Sequence, residues 1–300
     1  MRKIILGLLV LVLVGCDLSD EKKETDLDKK ELRHKVRVVI QKQFKKYDLL
    51  EDSLRNVQKW IFNEAGNLIE SSNYDKDLNL TEMSKCKYDK DGNLTELSVF
   101  DKDGELKYKN KHKYNDDENL IEKSGYNKNG KLNYKTVMKY DEDGNLIEDG
   151  FYVKGLKLTR MLKYKYDKGK NLIEESRYNR NGKLNSKKEM KYDGDGNLIE
   201  TIVSGRPRGL DYKHQLKYDE NGNNIEEIRF DKNGELMGKT KFKYNENGNR
   251  TEVIIFNKDG QQWMNKYQYK YDKNKNWIMK TRFFEEKQIQ ITEREIVYYD

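Results

Sequence analysis

Apolar and polar positions along this chain alternate in short runs, and each run ends in a cluster of Asp, Asn and Gly. Strict alternation over eight to ten residues predicts half-buried β-strands, and the clusters between them predict turns. The pattern is clearest over 166–192, where Tyr166-Asp167 opens a turn, Leu172 to Tyr178 a strand, and Asn179 to Gly182 a second turn. The same unit recurs along most of the chain. Its anchor aromatic falls at Phe62, Tyr88, Tyr114, Tyr140, Tyr166, Tyr192, Tyr218 and Tyr244, in steps of 26 residues, with Tyr271 one residue late. A fixed period of this size predicts a repeat architecture.

The turn residues set an expected register. Asp89-Lys90-Asp91-Gly92-Asn93 fits a three-residue hairpin loop, a type I turn closed by a glycine of positive φ. Tyr88 then pairs with Leu94, and by the same rule Tyr178 pairs with Leu184. Unbroken alternation from those pairs puts Leu172, Glu174, Ser176 and Tyr178 on one face. Leu184, Ser186, Lys188, Met190 and Tyr192 join them from the next strand. It also predicts Glu174 opposite Lys188, Glu200 opposite His214 and Glu252 opposite Lys266. Across the other hairpin each Glu is expected to face the Cys86, Met138, Met190 and Leu216 column. The Glu side chains are expected to bond Tyr hydroxyls, Lys, Ser or Thr in a ladder.

The expected fold is therefore all-β: an antiparallel β-meander repeat array, two strands per 26-residue repeat, forming an extended, twisted or spiralling sheet. About 18 strands are expected, and such a sheet laid flat would be on the order of 80 Å long. The chain divides into a signal segment at 1–15, a flexible tether at 16–35, a degenerate capping hairpin at 36–61 and the array at 62–300. Two second turns depart from the pattern, at 153–156 and 205–209, and the latter holds the single proline, Pro207.

Charged residues make up 38% of the chain and hydrophobic ones 35%, which argues against a deep two-sided core. The net charge of +7 falls to +5 once Arg2 and Lys3 are removed with the signal. The signs are interspersed, so the surface reads as solvated, without the basic track that nucleic acid requires. Lys and Glu on both faces also argue against a lipid-facing barrel.

Residues 1–16 read as an address. Arg2 and Lys3 precede the apolar run Ile4 to Val14, too short to span a bilayer, and the run ends Leu13-Val14-Gly15-Cys16. This resembles the bacterial lipoprotein lipobox, which implies lipidation of Cys16 and a lipid-anchored place in the bacterial cell envelope, the outer membrane being favoured. The units Tyr-Asp-x-x-Gly-Asn-Leu at Tyr88, Tyr140 and Tyr192, and with Asn for Leu at Tyr218, resemble YD repeats of the RHS family. Tyr-Asn-x-Asn-Gly-Lys-Leu at Tyr126 and Tyr178 is similar to MORN-like repeats. The resemblance covers 62–300 and implies a surface-associated, non-catalytic β scaffold. The alternating spacing of 12 and 14 residues departs from a typical YD repeat.

No catalytic residues stand out. His34, His112 and His214 share no column, and the chain has no nucleophile motif or phosphate loop. The Glu column, Glu70, Glu96, Glu122, Glu148, Glu174, Glu200, Glu226 and Glu252, reads as structural because repeats copy their packing. Asp89-Lys90-Asp91-Gly92 has some likeness to a calcium loop, but Lys87 stands at the first ligand position and turn chemistry explains the rest. No metal and no cofactor are expected. Cys86, in a column with Met138, Met190, Leu216 and Phe242, reads as a small hydrophobe. The anchor tyrosines Tyr88, Tyr114, Tyr140, Tyr166, Tyr192, Tyr218 and Tyr244 either stabilise the sheet or offer a binding surface for sugars or peptide side chains. The function expected is a lipid-anchored, non-enzymatic binding or adhesion scaffold for glycan or protein. The alternatives are an immunity or structural partner of a toxin system, and an envelope enzyme.

Overall fold

The computed structural model describes residues 26, 27, 30, 32–45, 53–153, 155–205 and 211–300. Cys16, the rest of the signal and tether up to 25, and Pro207 lie outside the described residues. Twenty strands follow one another. They are β1 Val36–Lys45, β2 Ser53–Phe62, β3 Leu68–Tyr74, β4 Leu80–Tyr88, β5 Leu94–Asp101, β6 Leu106–Tyr114 and β7 Leu120–Asn127. Next come β8 Leu132–Tyr140, β9 Leu146–Val153, β10 Lys157–Tyr166, β11 Leu172–Asn179, β12 Leu184–Tyr192 and β13 Leu198–Ser204. The chain ends with β14 Tyr212–Tyr218, β15 Asn224–Asp231, β16 Leu236–Tyr244, β17 Arg250–Asn257, β18 Gln262–Tyr271, β19 Trp277–Phe284 and β20 Lys287–Tyr298.

Each strand pairs antiparallel with the next, and β20 pairs with β1 from Val36↔Tyr298 to Lys45↔Gln290. The sheet is therefore a closed barrel, not the open or spiralling array that periodicity alone suggested. The hairpin β1–β2 was expected to cap an end, but it supplies the edge that the last strand needs, and closure removes both free edges. The expected strand count was also short. Eight intervals between nine anchors give sixteen strands and the two terminal hairpins four, so the late anchor Tyr271 closes a full repeat. At about 4.8 Å per strand, twenty strands enclose a ring on the order of 30 Å across, too wide for side chains to fill.

The turns form as expected. Asp89 N–H bonds Asn93 O at 3.0 Å, Gly92 N–H bonds Asp89 O at 3.2 Å, and Gly92 has φ +80°. The Asp89 carboxylate accepts from the backbone N–H groups of Asp91 and Asn93 at 3.0 and 2.8 Å, which accounts for Asp at this position. The closing pairs Tyr88↔Leu94 and Tyr178↔Leu184 also hold.

Beyond those pairs the expected register fails. After Tyr166↔Leu172 the next pair is Lys165↔Glu174, so Ile173 is extra; after Tyr178↔Leu184 the next is Arg177↔Ser186, so Asn185 is extra. A one-residue bulge shifts the alternation by one and moves every later side chain to the other face. Glu174 thus stands opposite Glu189, with Glu175 opposite Lys188. In β13–β14, which has no bulge, Glu200 stands opposite Gln215, with Thr201 opposite His214. The β17–β18 hairpin has no such shift, and there Glu252 does pair with Lys266. In the first hairpins Glu faces Lys instead of the Cys86 column: Lys87↔Glu96, Lys139↔Glu148, Lys191↔Glu200 and Lys217↔Glu226. Glu174 and Ser176 consequently share a face with Lys165 and Lys187, while Ser186, Lys188, Met190 and Tyr192 point the other way.

Burial identifies the two faces. Lys85, Lys87, Lys111 and Lys113 are exposed, whereas Cys86, His112 and Tyr114 between and beside them are half-buried. Asp26, Leu27, Lys30, Leu32 and Arg33 lie across the second face. Asp26 accepts from Leu68 N–H at 2.9 Å, Lys30 Nζ sits 4.1 Å from the Trp60 ring, and Arg33 N–H bonds Asn276 Oδ1 at 2.6 Å. Leu32 N–H bonds Leu27 O at 3.0 Å, and the contacts of these residues run from β3 to the start of β19, a short span that fits the concave side. The Lys–Glu face is therefore the outer wall and the Tyr–Met face the inner one. Among the described residues one apolar cluster forms, where Leu27 and Leu32 pack on Val36, Val39, Trp60 and Phe62.

Candidate functional site

The outer wall is a belt of repeated ion triads. Glu174 lies 3.2 Å from Lys165 on one flanking strand and 3.1 Å from Lys187 on the other. Glu122 and Glu226 are held in the same way by Lys113 with Lys135 and by Lys217 with Lys239. Glu200 has the tightest set, Lys213 at 2.6 Å and Lys191 at 2.9 Å, with Gln215 Nε2 donating at 3.1 Å. Those ammoniums, Lys213 first, hold the Glu200 carboxyl down to about 2 against the opposing effect of burial. Burial pushes Glu96, Glu122 and Glu174 upward, but the lysine hydrogen bonds outweigh it and all three lie below the usual carboxylate range. Ser98, Ser124 and Ser176 add hydroxyl donors at 3.3, 3.0 and 2.9 Å. The expected Glu ladder thus forms with Lys, Ser and Gln, without the Tyr hydroxyls.

The anchor tyrosines sit on the inner wall, on the side away from the Glu column. Each donates its hydroxyl to the backbone carbonyl twenty residues earlier. Tyr88 bonds Leu68 O at 2.7 Å, Tyr114 bonds Leu94 O at 2.9 Å, and Tyr140, Tyr166, Tyr192 and Tyr218 repeat this on Leu120, Leu146, Leu172 and Leu198. Tyr244 reaches Asn224 O at 2.7 Å. The ladder between β5 and β6 stops at Glu96↔Lys111, which leaves Leu94 O without a strand partner, and the phenol supplies the missing donor. Burial raises Tyr114, Tyr192 and Tyr218 above the ordinary phenol range. The structure brings these seven residues into one row, half-buried, with their hydroxyls engaged by main chain.

Inner positions between the tyrosines differ from repeat to repeat. The column starting at Leu97 continues Lys123, Asp149, Glu175, Thr201, Glu227, Val253, and the one starting at Val99 continues Gly125, Phe151, Arg177, Val203, Arg229, Ile255. One group of these forms a polar and aromatic patch across β6 to β10. Tyr134 lies over Gly125, where a Cβ would come within 2.1 Å of the ring, and its hydroxyl donates to Asn110 Oδ1 at 2.8 Å. Its ring lies 5.6 Å from Phe151, which carries Arg160 at 5.3 Å. Tyr164 donates to Asp149 at 2.5 Å. Burial, with the Lys123 charge, lowers His112 to about 4, so its imidazole is neutral at pH 7. Cys86, also on the inner wall, is half-buried, and burial raises its thiol.

A second inner region lies at the seam where β20 meets β1. A cavity of about 290 Å³ is lined there by Gln41 and Gln43 of β1, Tyr267 of β18, Trp277, Lys280 and Arg282 of β19, and Gln290 and Thr292 of β20. A chain of side-chain bonds crosses four strands beside it: Arg294 to Gln41 at 3.0 Å, Gln41 to Gln58 at 3.4 Å and Gln58 to Asn73 at 3.0 Å. Arg294 Cζ lies 3.4 Å from the centre of the Trp277 ring, and Lys280 Nζ is 4.9 Å from that of Tyr267. The sequence does not point to this site on its own, because the first hairpin reads as a cap and the last strands as part of an open array. The available signal was Gln at alternate positions in both ends, Gln41 and Gln43, Gln288 and Gln290.

No protein-family model matches the chain, and no curated protein does. Among solved structures it is similar to a porin-like protein from Bacteroides uniformis, at 11% identity and a TM-score of 0.38, over 87% of this chain and 96% of that one. A second porin-like protein, from Bacteroides vulgatus, aligns at 10% identity and a TM-score of 0.31, over 86% and 97%. A TcdB2-TccC3-TEV structure aligns at 12% identity and a TM-score of 0.35, over 81% of this chain but 16% of that one. Overlaps this low carry no argument about function.

Proposed function

We propose that the protein is a lipid-anchored barrel of the bacterial cell envelope that binds a glycan or protein ligand on its inner wall and performs no chemistry of its own. The observation that carries this reading is the contrast between the two walls. Outer columns copy one another, Lys87 to Lys243 and Glu96 to Glu252, as packing requires. Inner columns between the anchor tyrosines change from repeat to repeat, which gives the wall the chemical variety that recognition needs. The anchor rests on Leu13-Val14-Gly15-Cys16, and the YD-like repeat units remain the basis for a surface-associated scaffold. Outward lysines and glutamates favour a wall in water beside the membrane over a wall in lipid, where each charge costs several kcal/mol.

The test uses full-length protein from a lipidating host, screened against glycans and envelope proteins with products monitored. Binding without turnover is the expected result. Turnover of a bound glycan, or binding that persists when inner residues such as Tyr134 and Arg160 are replaced together, would sink the proposal. Fatty-acid labelling of wild type and Cys16→Ser tests the anchor separately, and label on the mutant would refute it.

A further inference from the structure

Charge on this barrel is sorted by rim, although the two signs are interspersed along the chain. One rim holds the nine turns that leave the even strands β2 to β18, from 63–67 to 272–276. Those turns carry sixteen acidic residues against five lysines and no arginine. The densest stretch is Asp116, Asp117 and Glu118 with Asp141, Glu142 and Asp143, all exposed, in the adjacent turns after β6 and β8. The other rim differs in the same sector. The described residues of the turns after β7, β9 and β11 supply Lys128, Lys131, Lys157, Arg180 and Lys183, all exposed, and no acid. This arc lies between Asp101, Asp103 and Glu105 on one side and Asp211 on the other. Apolar side chains accompany both stretches. Leu156 is 56% exposed and Leu184 46% among the cations, and Ile147 is 38% exposed just after the acidic turn of β8.

We propose that the acidic rim of one barrel docks on the basic arc of a second copy of this chain, head to tail. Closure leaves no strand edge for pairing with another sheet, so copies meet through walls or rims. The outer wall is neutralised within itself, because Glu174 sits between Lys165 and Lys187 and its equivalents repeat that. The rims instead separate charge, since the two arcs end the same strands: β8 starts beside Lys131 and stops beside Asp141. Strands of this length hold the arcs roughly 30 Å apart, well beyond the screening length of about 8 Å, so neither offsets the other within one barrel. A second copy brings them into contact. Successive turn tips on either rim lie two strands apart, about 10 Å, so the tips of the two copies meet at a common interval. Leu156, Leu184 and Ile147 give the joint apolar surface, and the opposite charges fix its orientation. A bilayer of anionic lipid would match the cations but leave the acidic rim without a partner, whereas a second copy matches both. The contact joins different surfaces of the two copies, so it is heterologous and extends into an open row of barrels. It involves neither the lipid anchor nor the inner wall.

Zero-length carbodiimide cross-linking tests this, on full-length protein from a lipidating host in non-ionic detergent, with isotopically light and heavy chains mixed. Carbodiimide joins a lysine to a carboxylate only in direct contact, so a link between opposite rims cannot form inside one barrel. Light-to-heavy links should join Lys128, Lys131, Lys157 or Lys183 to Asp117, Glu142 or Asp143, and should fall about fivefold or more when salt rises from about 50 to about 500 mM. In sedimentation velocity, Lys131→Glu with Lys183→Glu should abolish self-association, and so should Asp117→Lys with Glu142→Lys. A mixture of those two variants should associate again, because each rim then meets its opposite charge. Reversed variants that still self-associate, a mixture that stays monomeric, or links confined to the outer walls would overturn the proposal. A wild-type chain that stays monomeric at about 50 mM salt, yet binds phosphatidylglycerol vesicles through Lys131 and Lys183, would assign the arc to a lipid surface instead.

Discussion

The ion triad at Glu200 gives the sharpest test of the outer wall. Glu200→Gln keeps the shape of the side chain but leaves Lys213 and Lys191 without a counter-charge. Glu200 is 11% exposed, Lys213 39% and Lys191 69%, so both pairs lie between the buried and the solvated limits. Exposed pairs contribute about 0.2 to 1 kcal/mol each, and two pairs sharing one carboxylate place the expected loss at about 1 to 2 kcal/mol at pH 7. The pH dependence follows from the direction of the shift. The folded carboxyl titrates near 2 and the unfolded one near the ordinary glutamate value of 4.5. The contribution is therefore fully present above that range and lost as pH falls toward 2. Urea melts of wild type and variant at pH 7, 5 and 3 should show the difference intact at pH 5 and more than half gone at pH 3. A penalty that stays constant down to pH 3, or none at pH 7, would refute the idea that the two ammoniums hold this carboxylate.

Other variants probe the remaining contacts. Tyr192→Phe removes the donor to Leu172 O and should cost about 1 kcal/mol in a urea melt, whereas Tyr192→Ala should cost about 3 kcal/mol or more through lost ring burial. Lys170 occupies the glycine position of its turn with φ +63°, so Lys170→Gly should raise stability by about 1 kcal/mol; a loss would contradict the turn argument. Gly125→Ala drives a methyl into the Tyr134 ring and should destabilise by about 1 to 3 kcal/mol, with a changed near-ultraviolet circular dichroism signal. Leu32→Ala, in the one apolar cluster, should cost about 2 to 3 kcal/mol, and an unchanged melt would mean that the N-terminal segment does not secure the seam.

The anchors, turns and strand lengths were legible because each is a local signal, as the Asp89 to Asn93 loop shows. The face assignment was not legible, because the bulge one residue after most of the closing pairs is decided by how the hairpin fits its neighbours. Nothing in Leu172-Ile173-Glu174 announces that Ile173 will be extra. That single residue explains why Glu174 was assigned to the wall of Met190 and Tyr192 when it belongs to the opposite one. Closure was equally hidden. The edges of β1 and β20 match in register, Gln41↔Arg294 and Thr292↔Gln43, but they lie at opposite ends of the sequence and share no repeat pattern. The seam cavity was missed with them, since it exists only once those ends meet.

Closure also accounts for where the apolar residues lie. Consecutive strands meet after a short turn, so their pairing closes small loops. The β1–β20 pair joins residues such as Gln41 and Arg294 that are 253 apart in sequence. Loop closure over that length costs about 3 kcal/mol more than over a ten-residue hairpin, and this contact alone must bear it. The apolar cluster of Leu27, Leu32, Val36, Val39, Trp60 and Phe62 forms at this joint, with Ile296 and Tyr298 of β20 packed against it. The Arg294–Gln41 bond and the Asn276 contact to Arg33 bind the same strands together. Elsewhere among the described residues no second apolar cluster forms, because each strand needs only its neighbours.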